Sequence, residues 1–191
     1  MREPPSAPGR SNGRLLIRLR SGDAAADDGA LADALTPEGW RLLGLNCDAA
    51  ISTNAAIRDA LTRAGAAQSE TIVLAERGCA AAAAAALLRQ KEIAGRCGLV
   101  TFDAFADERF AALGEDLEDC EGLATIWTVA RDNRDLRVRT LAHHGALQAR
   151  GRDTHFLALP GASQSLAGYI ADERSPLGRA FRWLIMPVNS R

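Results

Sequence analysis

The stretch Thr71 to Leu88, TIVLAERGCAAAAAAALL, constrains this chain more than any other. An apolar, β-branched run breaks at Glu76-Arg77-Gly78 and resumes as alanines, which predicts a buried strand, a sharp turn and a helix. A strand apolar at every position belongs in a parallel sheet covered on both faces. Alanines 80 to 86 form helix well and carry almost no bulk, so this helix can lie close to the sheet, as a central helix should. The turn between them sits at the carboxyl edge of the sheet. There a side chain, here Arg77, can be presented to a ligand while the next helix points its amino terminus at the same place.

The rest of the chain repeats the alternation. Strands are expected at Leu15 to Leu19, Trp40 to Leu45, Thr71 to Ala75, Leu99 to Phe102, Ala124 to Val129 and Thr154 to Leu159. Helices are expected around Ala30 to Leu35, from a Thr53 or Asn54 cap to about Ala64, from the alanines to Gly95, at Asp107 to Asp119, at Leu136 to Arg150, and from Ser163 to Leu184 with a break near Pro176. Strands and helices alternating at this spacing give an α/β fold: a three-layer αβα sandwich with about six mostly parallel strands. The reading is a single domain over residues 14–187 after a disordered lead-in at 1–13, rich in Pro, Gly and Ser. Ligands of such sheets bind at the carboxyl ends of the strands. The residues to inspect are therefore Ser21, Gly22, Asp48, Glu76, Arg77, Gly78, Asp103, Asp132 to Asp135, Ser163 and Gln164.

Composition excludes several functions. Positive charge is almost all arginine, Lys91 being the one lysine, and is interspersed with acids to a net charge of −1. No nucleic-acid surface is expected from that pattern. No run approaches the roughly 20 apolar residues that span a bilayer, so no membrane association is expected. Cys47, Cys79, Cys97 and Cys120 are widely separated and there are three histidines, so no metal site, redox dithiol or cofactor is expected. Buried free thiols in a cytoplasmic setting are the reading. A Rossmann site would need a glycine-rich first turn, and Leu19-Arg20-Ser21-Gly22-Asp23 has a single glycine.

VLAERGC resembles the nucleophile elbow of the α/β-hydrolase fold, with Ala75 and Cys79 as its small positions and Arg77 in the nucleophile's place. TVARDNRD resembles the strand end that carries the acid, at Asp132 or Asp135. THFLALPGASQS resembles the strand and turn that carry the histidine, with Gln164 in its place, and RLRSGD resembles the loop supplying an oxyanion amide near Ser21 and Gly22. The Gly39-Trp40 strand start, the LPGAS turn and the short segment where many relatives carry a lid also resemble a family of uncharacterised bacterial hydrolase-like proteins. The resemblance implies a minimal hydrolase-like fold without a lid domain, and it arrives without its chemistry. A guanidinium is no nucleophile, and a carboxamide has no titratable nitrogen to act as base.

The expectation is a degenerate, non-catalytic hydrolase-fold protein, a pseudoenzyme that binds a small anionic ligand or a protein partner. Ser21, Gly22, Glu76, Arg77, Gly78, Asp132 and Gln164 are the candidate ligand residues. Arg77 before a helix start adds charge to an already positive dipole end. Either an ion pair with Glu76, Asp132 or Asp135 compensates it, or an anion does. The alternative is an ester or thioester hydrolase using Cys79 or another unorthodox nucleophile, since a helix amino terminus lowers a thiol pKa. His143 and His144 are expected on the surface of their helix or half-buried, and His155 in a structural role. Phe181, Trp183, Leu184 and Ile185 either make a homodimer contact or pack back onto the sheet.

Overall fold

The computed structural model describes residues 14–20, 28–47, 55–56, 59, 70–89, 97–120, 122–160 and 166–185. Six strands form one sheet: β1 (Arg14–Arg20), β2 (Trp40–Asn46), β3 (Thr71–Glu76), β4 (Cys97–Phe102), β5 (Leu123–Ala130) and β6 (Thr154–Leu159). The order is β2-β1-β3-β4-β5-β6, and every neighbouring pair is parallel. The chain leaves β1 towards one edge and returns to β3 on its other side. The topological switch therefore lies between the carboxyl ends of β1 and β3, where a ligand crevice belongs.

Helices cover both faces. On one lie α2 (Ala80–Arg89), α3 (Glu108–Ala112), α4 (Gly114–Glu118) and α5 (Arg134–Ala149). On the other lie α1 (Asp28–Leu35), α6 (Leu166–Ala171) and α7 (Pro176–Ile185). Strand alternation assigns the side chains: Leu15, Ile17 and Leu19 join the α2 face, while Leu16 joins the α1 face. Alanines 80, 83 and 84 are fully buried, which is what lets α2 lie against β3 and β4.

The single helix expected over Asp107 to Asp119 is two helices. Asp107 caps the first by accepting from the Arg109 amide, and Leu113 ends it. The break falls at Gly114, where an added Cβ would lie 3.7 Å from the His143 ring. Phe181, Leu184 and Ile185 are buried against the sheet, and Trp183 meets the His155 ring edge-on at 4.2 Å. Packing inward is thus the outcome for the final helix. The lead-in, most of the helix expected after Thr53, and the end of α2 beyond Arg89 lie outside the described residues.

Candidate functional site

The turn after β3 has the expected form. Strand Thr71–Glu76 passes without a loop into a 3-10 turn, Arg77–Cys79, and then into α2. A presented nucleophile sits on a strained elbow. Here the position given to Arg77 lies in a regular 3-10 turn, and the non-glycine residue at positive φ among those described is Asp103. Gly78 is exposed, and a Cβ built there meets nothing within 4 Å, so crowding does not require glycine at that position. The Arg77 side chain lies outside the described residues, as do Ser21, Gly22, Asp48, Ser163 and Gln164. Among the described residues on either side of it, the Tyr169 hydroxyl donates to the Pro160 carbonyl at 2.8 Å.

Cys79 is bonded to Cys47, with Cα atoms 5.8 Å apart. This corrects the expectation of four free thiols: Cys97 and Cys120 stay as thiols, and burial with the nearby Cys120 pushes the Cys97 pKa up. It also corrects Cys79 as a nucleophile, since a disulfide sulfur carries no thiolate and this residue is fully buried. No spacing motif announced the pair. Cys47 follows β2 and Cys79 follows β3, with β1 between these strands, so the bridge straps the carboxyl end of β1. The Cys47 amide adds a hydrogen bond to the Arg20 carbonyl at 2.9 Å.

Under the other face of the switch is an ion network that sequence reasoning missed. Arg18, mid-strand in β1, is fully buried. Its guanidinium pairs with Asp28, the first residue of α1, and reaches Glu76 Oε1 at 3.5 Å. Arg20 Nη1 holds the second Asp28 oxygen at 2.6 Å. Opposite Arg18 in the register stands Gly44, where a Cβ would lie 2.9 Å from Asp28 Oδ2. Glycine there makes room for the carboxylate. Among the described side chains Glu76 is thus matched by Arg18, and Asp28 also favours the positive amino terminus of α1. The signal was an arginine inside an otherwise apolar strand, a residue type that stays buried only when paired.

The acid positions lie at the end of β5. Asp132 and Asp135 are both exposed and, with Ala130, Asn133 and Arg134, line an open depression of about 440 Å³. Asn133 caps α5 by accepting from the Leu136 amide at 3.2 Å, and Asp135 sits in the first turn of that helix. Asp103 is buried, left-handed at φ 51°, and its carboxylate accepts from the Ala130 amide at 2.9 Å. It fastens the end of β4 to that of β5 and is structural.

The histidines have packing roles. His143 is more buried than expected: Nδ1 lies 3.2 Å from Glu118, and the ring stands edge-on to Trp127 at 5.0 Å. Burial pulls its pKa below the ordinary value of 6.5, with His144 and Arg150 adding to the shift and Glu118 opposing it. His144 Nδ1 lies 3.1 Å from the Thr154 hydroxyl, which also meets Thr125 and Trp127 Nε1. Among the described residues no group of three or more His, Cys, Asp or Glu could hold a metal, and no helix is long and apolar enough to cross a membrane.

Comparison with known proteins adds one finding. The crystal structure of the esterase domain from a Rhodothermus marinus protein matches this chain with a TM-score of 0.61, over 90% of this chain and 88% of that one, at 11% identity. The likeness is one of fold. The parallel sheet and its helices form a hydrolase-like α/β sandwich with no lid evident among the described residues. No protein-family model and no curated protein matches the chain.

Proposed function

We propose that this chain is a non-catalytic protein on a hydrolase-like fold, a pseudoenzyme that works by association. One observation carries the reading: the turn Arg77–Cys79, where a nucleophile would be presented, holds an arginine and a glycine and ends in a disulfide-bonded cysteine. Acyl transfer needs a nucleophile with a proton acceptor beside it, and an arginine supplies neither. Gln164 in the histidine's place removes the base as well.

Between the two binding roles, a partner is better supported than a small anion. The open depression at the end of β5 sets Asp132 and Asp135 against Arg134, so an anion entering it meets more negative than positive charge.

The test is hydrolysis of short p-nitrophenyl esters and of an acyl thioester, with and without reductant. The expected result is no rate above buffer in either state. A saturable rate that Cys79→Ala abolishes would overturn the reading in favour of a thiol hydrolase active after reduction.

A further inference from the structure

The bond between Cys47 and Cys79 is unequal at its two ends. Cys79 is fully buried, whereas Cys47, just past the end of β2, is half-buried. Thiol–disulfide exchange needs a thiolate to reach one sulfur while the other leaves. Access therefore selects Cys47 as the sulfur attacked and Cys79 as the leaving group. Cys79 immediately precedes α2, and the positive amino end of a helix favours a departing thiolate. A bridge that served only to staple the fold would gain nothing from one accessible sulfur, which admits a reductant to the folded chain.

The surroundings let the bond open without unfolding the sheet. β1 pairs with β2 as far as Arg20 opposite Asn46, and with β3 as far as Leu19 opposite Ala75. The Cys47 amide is held by the Arg20 carbonyl, and on the other face Arg18 and Arg20 are tied to Asp28. What the bond adds is a covalent tie across the carboxyl end of β1, at the topological switch. The remaining cysteines lie at the opposite edge of the sheet, Cys97 opening β4 and Cys120 shortly before β5. Burial and the neighbouring Cys120 keep the Cys97 thiol protonated, so this pair is a poor nucleophile for scrambling the bridge.

We propose that Cys47 and Cys79 form a reversible redox latch over the end of β1, a thiol–disulfide exchange site whose reactant is a dithiol. One thiolate of the dithiol attacks Cys47 Sγ. The bond to Cys79 breaks, its electron pair leaves on Cys79 Sγ, and that sulfur takes a proton. The second thiol of the reductant then attacks the mixed disulfide, and Cys47 leaves in turn and is protonated. Two electrons pass to the chain, the reductant ends as its own disulfide, and its two protons end on Cys47 and Cys79. The reverse sequence with a disulfide oxidant closes the latch. The inference goes beyond the association role, and neither the presence nor the absence of ester hydrolysis bears on it.

The full chain is first equilibrated with oxidised glutathione and then treated with dithiothreitol under native conditions, with thiols counted by alkylation and mass. The count should rise from two to four, with circular dichroism retained and a rate proportional to reductant concentration. A rate independent of reductant concentration would mean that only unfolded molecules react, and would overturn the proposal in favour of a structural staple. Four thiols persisting in oxidised glutathione would overturn it as well. A dithiol oxidoreductase lacking its second cysteine should be captured on Cys47, and capture on Cys79 would overturn the direction of attack. Reduction should speed hydrogen exchange of the Cys47 amide about tenfold or more and leave β4 unchanged. Equal exchange in both redox states would overturn the latch.

Discussion

The bridge between Cys47 and Cys79 allows a quantitative test of how the switch region is held. It closes a loop over a sequence separation of 32. Cross-linking a loop of that size removes denatured-chain entropy worth about 3–4 kcal/mol. In a domain of this length about 3 °C of Tm accompanies each kcal/mol, so loss of the bridge should lower Tm by about 10 °C. Two perturbations separate the contributions. Reduction of the wild-type chain opens the loop and leaves both sulfurs in place, whereas Cys47→Ala with Cys79→Ala also removes a sulfur from a fully buried site at position 79. The double variant should melt below the reduced wild type by a further, smaller interval, from the space left by that sulfur. Thermal melts by circular dichroism read both, after thiol titration of the denatured protein. Without reductant two of the four cysteines should titrate, and with it all four. Four reactive thiols without reductant would mean that the bridge is absent. Intact bridges whose opening moves Tm by less than about 2 °C would refute the loop-closure reasoning.

Other consequences follow from single contacts. Arg18→Met leaves Glu76 and half of Asp28 without their buried partner and should cost about 3–5 kcal/mol, with Glu76→Gln recovering part of it; denaturant melts measure both. Gly178→Ala should destabilise by about 2 kcal/mol or more, because the new Cβ would stand 2.1 Å from the Asp172 carbonyl oxygen, a backbone atom that cannot swing away. For His143 and His144, both with folded pKa values pulled down first by burial, the unfolded chain binds protons at higher pH than the folded one. Their contribution to stability is full above about 6.5 and is lost as pH falls towards the depressed values, so Tm should drop between pH 7.5 and 5.5. His143→Phe should flatten that slope. Arg77→Ser should leave ester hydrolysis at the buffer rate, because a hydroxyl in a 3-10 turn still has no base beside it.

The strands were legible in the sequence because each is an apolar run between turn signals. Thr154–Leu159 falls where the alternation ends, and Thr71–Glu76 extends its run by one residue. The face of α5 was less legible. Val138 and Leu141 look like ordinary core positions of a helix until the spatial placement of Thr140, His143 and Leu147 shows which side is covered. The disulfide was illegible for a different reason: a cysteine pair joining the ends of two strands with a third between them has no local signature. Arg18 could have been found. Arginine inside the apolar run LLIRL requires a buried acid nearby, and Glu76 was already at the same edge by the strand-end rule, whereas Asp28, at the start of α1, was not among those residues. Adjacency in sequence pairs Glu76 with Arg77, whereas in-and-out alternation places it on the α1 face beside Arg18.

These placements bear jointly on what became of the crevice at the switch. On one face the carboxyl end of β1 is strapped by Cys47 and Cys79, and on the other its terminal arginines are held by Asp28 and Glu76. A working acyl-transfer site must keep this edge open, with polar groups aimed at a substrate rather than at one another. Here covalent and ionic ties use the same positions to hold β1, β2, β3 and α1 together. That use agrees with the non-catalytic reading proposed above, in which these positions serve to hold strands together rather than to meet a substrate.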